Sequence, residues 1–212
     1  MAGSYDFEEQ ERIAELTAWW EDNRWYVLGA VVAAVVAFAG WQGWLMWKHK
    51  RAEEAAGLYR PVAEAATSDD PKKLEEAAKP LFDRVPGSFQ ASEAALMIAK
   101  AAFAKGDLAE AQKRLQWVMS NGAQEHRPVA RLRLAAVLLE QKKYDDALKL
   151  LDENKDPAFA PLVADAKGDV MLAQGRIDEA RASYKAAVDA SDARNPVRQV
   201  AQTKLDALGG SQ

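Results

Sequence analysis

The chain has 212 residues, 28 basic and 32 acidic, with a formal net charge of −4, two histidines and no cysteine. That composition excludes disulfides, thiol catalysis and a lipidated cysteine, and it leaves little material for a metal or proton-relay site. The charge is uneven: residues 1–24 carry −5, whereas residues 48–212 carry 26 basic and 25 acidic side chains, a balance that argues against nucleic acid as a partner.

Residues 6–22 place Phe7, Ile13, Leu16, Trp19 and Trp20 at helical spacing, with acids opposite. The pattern predicts a short amphipathic helix, with a frayed tail as the alternative. Its acidic face disfavours anionic lipid and points to a protein partner.

An uninterrupted apolar run follows, Val27 to Trp47, with Gln42 its only strongly polar side chain. At about 1.5 Å per residue it spans about 31 Å, close to a bilayer core of about 30 Å. Backbone groups inside lipid must pair within the segment, so the run is expected to be one membrane-spanning helix. Six of the seven tryptophans lie between residues 19 and 47, and Trp25, Tyr26, Trp44 and Trp47 mark its edges, as indoles do where lipid meets headgroup. Ala37-Phe38-Ala39 fits a signal-peptidase pattern, but the flank before the run is acidic and the run continues to Trp47. An uncleaved anchor is the better reading. Gly29, Ala33, Ala37 and Gly40 form a small-residue face that would let a second membrane helix pack closely.

The stretch KHKRAEEAAGLYRPVAEAAT after the anchor is helical in composition, and Pro61 is expected to kink or divide it. Ser68-Asp69-Asp70-Pro71 reads as a turn. From there the chain repeats. An alanine recurs at Ala77, Ala111, Ala147 and Ala180, with spacings of 34, 36 and 33. Three residues earlier come Leu74, Leu108, Tyr144 and Ile177; four residues later come Leu81, Leu115, Leu151 and Tyr184. Gly106 and Gly175 hold equivalent turns, where the other two units have Lys72 and Lys142. Gly168 falls at a close-packing position. This is the period of the tetratricopeptide repeat, in which small residues let paired helices cross closely and neighbours stack into a solenoid. Units are expected near 58–88, 89–122, 127–156 and 159–190, the first of them weak. Asn195-Pro196 suits a helix start, and Val197, Val200, Ala201, Leu205 and Leu208 make one apolar stripe that should cap the open end.

The fold class is therefore all-α: one N-terminal transmembrane helix, then a tetratricopeptide-repeat-like solenoid with a C-terminal capping helix. The divisions are an acidic tail (1–24), the anchor (25–48), a connecting helix or linker (49–71) and the repeat domain (72–208). The sequence offers no phosphate loop or hydrolase motif. His49 and His126 are too far apart to act together and read as surface residues, and the acid pairs Asp69-Asp70 and Asp145-Asp146 read as helix-start acids. A binding module without catalytic, metal or cofactor sites is expected. Its concave face, built from the first helix of each pair, would be lined by Leu96, Lys100 and Phe103, then Leu132, Ala136 and Leu139, then Asp165, Asp169 and Leu172, any of which could instead be core.

An acidic tail, one early membrane helix ending in GWQGW and Trp47, and the stretches RLRLAAVLLEQKKYDDALKLLD (131–152) and VADAKGDVMLAQGRIDEARASYKAAV (163–188) together resemble the YfgM family. That resemblance implies an ancillary subunit of the SecYEG translocon in a Gram-negative inner membrane, with a cytoplasmic N-terminus and a periplasmic repeat domain. It also implies association with a PpiD-type membrane-anchored periplasmic chaperone and help in passing nascent secretory chains onward. The charges oppose that topology: Arg12 and Arg24 precede the anchor, while Lys48, Lys50, Arg51 and Arg60 follow it. The alternative function is a membrane-tethered scaffold for another envelope assembly, such as a division or secretion complex, which co-purification in mild detergent would distinguish.

Overall fold

The periodicities above resolve into nine α-helices in a computed structural model that describes residues 3–68 and 70–209, with side chains from residue 11 onward. The side chain of Phe7 and all of Asp69 lie outside the described residues. Helix α1 is Gly3–Ala66, with Pro61 inside it. Pro61 and Gly57, whose carbonyl it leaves without a helical donor, are both exposed, so water can satisfy that oxygen and the expected break does not occur.

The chain divides into two compact units, Met1–Lys50 and Arg51–Gln212. In the first, α1 displays its apolar side chains outward: Val31, Val32, Val35, Val36, Phe38 and Trp41 are exposed. This is the surface of a helix that meets lipid, not one that fills a soluble core. Trp41 and Trp44 contact each other at 5.4 Å, and the Lys48 ammonium lies 4.6 Å from the Trp44 ring.

In the second unit, residues 51–66 of α1 pack with α2 (Pro71–Arg84) and α3 (Phe89–Ala104) around Ala55, Val62, Leu74, Leu81 and Ile98. The helix pairs α3 with α4 (Leu108–Asn121), α5 (Arg127–Glu140) with α6 (Tyr144–Asp152), and α7 (Ala160–Ala173) with α8 (Ile177–Asp189) follow, and α9 (Pro196–Ala207) closes the array. The three turns within these pairs share one geometry. The second residue after each first helix has a positive φ: Gly106 at 77°, Lys142 at 59°, Gly175 at 74°. The following N–H donates back across the turn, Asp107 to Ala102, Lys143 to Leu138 and Arg176 to Met171, at 2.8–2.9 Å. This double-bonded helix end favours glycine, and Lys142 adopts it against its own preference.

The helix starts divide the work differently. Side-chain oxygens of Asp70, Ser88, Asp107 and Asn195 accept from the backbone N–H groups of Lys72, Ala91, Glu110 and Val197 at 3.0–3.1 Å. Helices α6 and α8 lack such a cap and carry acids in the first turn instead, Asp145 and Asp146, then Asp178 and Glu179.

The first unit corrects the repeat register. Asp70 caps α2 as Asp107 caps α4, so Leu74, and not Ala77, matches Ala111. Leu74 and Ala78 are buried, whereas Ala77 is only partly so. Lys72 sits inside α2 and holds no turn. In the other units Ala111, Ala147 and Ala180 are fully buried. Gly168 is where two helices touch: an added Cβ would lie 2.4 Å from the Tyr184 ring.

Candidate partner-binding surface

Helix α5 approaches α7 closely, and α7 approaches α9, but α3 and α5 do not approach in the same way. Between them lies a cavity of about 320 Å³ lined by Ala99, Lys100 and Phe103 of α3, Leu115 of α4, and Arg133, Ala136 and Val137 of α5. Its floor is apolar and buried, made of Ala99, Leu115 and Val137. Its mouth is exposed and carries Phe103 and Ala136 with two cations, Lys100 and Arg133. Neither cation forms an ion pair among the described residues; Arg133 Nη1 donates to the Leu96 carbonyl at 3.5 Å.

Of the nine residues expected on the concave face, the structure brings Lys100, Phe103 and Ala136 together here. Leu132 and Leu139 are half-buried at the edge of the main core, and Leu172 is exposed on α7. Leu96 is a correction: it is 3% exposed and belongs to the core that spans α3 to α7. Asp165 and Asp169 are partly exposed and hold a partner within the domain. Lys204 of α9 lies 2.8–2.9 Å from both oxygens of each, and the Tyr184 hydroxyl donates to Asp169 at 2.8 Å. These two acids latch the capping helix to α7. Burial raises the Asp165 carboxyl above its ordinary range, outweighing the pull of Lys204. Burial alone would lower the Lys204 ammonium, but its hydrogen bonds to the two carboxylates reverse this and hold it above its ordinary value. Tyr184 is pushed well up, first by burial and then by its bond to Asp169.

Arg133 was missed in the sequence, although it stands one helical turn before Ala136 on the same face of α5. His126 corrects another expectation. It is buried, with its ring edge-on to Phe89 at 4.4 Å and Nε2 3.3 Å from Glu93 Oε2. The turn Gln124–His126 folds it back onto α3, a placement that no local signal announces. On the capping helix, Ala201 and Leu205 are buried but Val200 is largely exposed, so the expected stripe is narrower than drawn. Among the described residues no three His, Asp or Glu side chains converge to hold a metal ion.

On α1, Gly29, Ala33, Ala37 and Gly40 are exposed, and an added Cβ at Gly29 or Gly40 would meet nothing within 4 Å.

The family model described as a tetratricopeptide repeat-like domain matches residues 17–210. The ancillary SecYEG translocon subunit of Neisseria gonorrhoeae is 30% identical over 203 residues, covering 95% of this chain and 97% of that one. The protein of the same name from Escherichia coli is 27% identical over 201 residues, covering 94% and 96%. The solved MamA RS-1 ArsTM double mutant aligns at 21% identity with a TM-score of 0.48, over 74% of this chain and 96% of that one.

Proposed function

Because the chain belongs to the YfgM family of ancillary SecYEG translocon subunits, tetratricopeptide repeat-like proteins, we propose that it is a non-enzymatic adaptor held at the translocon by its single membrane helix. The repeat domain then engages a membrane-anchored periplasmic chaperone of the PpiD type and helps hand emerging chains to it. The observation that carries this reading is the near-complete match, through the anchor and every repeat, to proteins named for the translocon. The domain's geometry supports it. An open groove with an apolar floor and free cations suits a peptide partner, and a tether that confines both partners to one membrane raises their effective concentration.

The proposed topology puts residues 1–24 in the cytoplasm and the repeat domain in the periplasm, against the small basic excess that follows the anchor. Purification from native membranes in mild detergent should recover SecYEG subunits and the chaperone with this chain. Recovery of a division or secretion complex without SecYEG subunits would overturn the assignment. A reporter active only in the periplasm, fused after Gln212, should be active; an inactive fusion with an intact protein would reverse the topology.

A further inference from the structure

We propose that the α3–α5 groove binds a partner segment in which a bulky apolar side chain stands next to a carboxylate, with Phe103, Ala136 and the buried floor taking the apolar group and Lys100 and Arg133 the acid. The inference rests on the adaptor reading above and names the chemistry of what its repeat domain holds.

The argument starts from size. At about 320 Å³ the cavity sits at the small end of ligand sites, which run from about 300 to 1,000 Å³. It has room for one or two side chains of a segment that otherwise lies across the surface. The floor residues Ala99, Leu115 and Val137 are apolar and each at most 2% exposed, so an apolar side chain entering the cavity meets no polar group on its floor. Phe103, 38% exposed, supplies an aromatic wall that is only half covered by the protein itself.

Charge then selects the neighbour. Several cations of the domain are paired with carboxylates, Arg114 with Glu75 and Glu110, Lys167 with Asp152, Arg176 with Glu179, Lys204 with Asp165 and Asp169, while others, such as Lys72 and Lys149, are not paired among the described residues. Lys100 and Arg133 have no carboxylate partner among the described residues, and they flank the apolar mouth from opposite helices. Two uncompensated cations over a low-dielectric floor attract an anion more strongly than the same charges on an open surface, and they disfavour a basic segment. Arg133 is further oriented by its contact with the Leu96 carbonyl, which leaves the rest of its guanidinium fork for a carboxylate. The domain carries almost no net charge overall, so this preference is local and not a general attraction for acidic proteins.

The test uses the full-length chain in detergent micelles and a fluorescent blocked peptide with a phenylalanine between two acidic residues, followed by anisotropy. Saturable binding is expected. It should weaken about five- to tenfold in the Lys100→Gln, Arg133→Gln double variant, which changes only exposed side chains, and fall with rising salt. Replacing the peptide's acids by their amides should cost about as much, and Ala136→Trp should block binding by filling the mouth while leaving both cations in place. Circular dichroism checks that each variant is folded. Equal binding of the acidic and amide peptides, an unaffected double variant, or no saturable binding up to millimolar peptide overturns the inference. Co-purification with SecYEG subunits is measured on the same variants. Loss of peptide binding with that association intact is expected of the groove variants. A wild-type chain that co-purifies with SecYEG but binds no peptide overturns the groove assignment alone and leaves the adaptor reading standing.

Discussion

Replacing Lys204 by Met should loosen the capping helix α9 without unfolding the array. In the native chain the Lys204 ammonium is 2.8–2.9 Å from four carboxylate oxygens on α7. Methionine keeps the apolar stem but leaves Asp165 and Asp169, one helical turn apart, facing each other without a cation. A fully buried pair broken in this way costs about 3–5 kcal/mol. Here the lysine is 30% exposed and the acids 16% and 37%, so solvent screens much of the loss and about 1–2 kcal/mol is the reasonable figure. In a stacked array that cost falls on the end unit. Amide exchange over residues 196–207 should therefore speed up by about five- to thirtyfold, while α3 to α6 change little. Adding Asp165→Asn should recover part of the protection by removing one of the two facing charges. The pH dependence has a definite sign. The folded Lys204 is held above its ordinary value of 10.5, so its contribution is complete below that value and is lost as pH rises through the folded one. Protection of α9 should thus hold from neutral pH to about 10 and fall beyond it, more in wild type than in Lys204→Met. Unchanged exchange in α9 of the variant at neutral pH would refute the latch.

Lys142→Gly should stabilise the domain by about 0.5–1 kcal/mol, since it relieves a left-handed residue while adding chain entropy to the unfolded state, and Gly106→Lys should do the reverse; urea midpoints check both. Ala147→Trp and Gly168→Ala should each cost about 1–3 kcal/mol or more by overfilling a helix contact, seen as lower melting temperatures; unchanged values in both would mean that these are not contact points. A chain lacking residues 1–50 should lose most SecYEG association in a pull-down from membranes, because the repeat domain would no longer be concentrated beside its partner; retention at the full-length level would contradict the division of labour.

Features governed by local rules were readable from the sequence. The length and edges of the apolar run require one long exposed helix, because a backbone in lipid has no other way to satisfy itself. The 33- to 36-residue spacing located three helix pairs, and Gly106, Gly175 and Gly168 fell at the turns and the contact assigned to them, since a positive φ or a close approach restricts the residue directly. Lys142 shows the limit of that rule: the turn forms around a lysine because the hydrogen bonds on both sides impose it. What the sequence could not reveal depends on residues brought together from far along the chain. The first unit takes its register from the Asp70 cap, three residues out of step with the alanine pattern. His126 is buried because Phe89 and Glu93, more than thirty residues earlier, receive it. Asp165 and Asp169 have the spacing of a surface pair, and only the return of α9 brings Lys204 to them. Arg133 and Lys100 line one cavity because α3 and α5 stand apart, a spacing set by how whole helices pack and not by any side chain in either one.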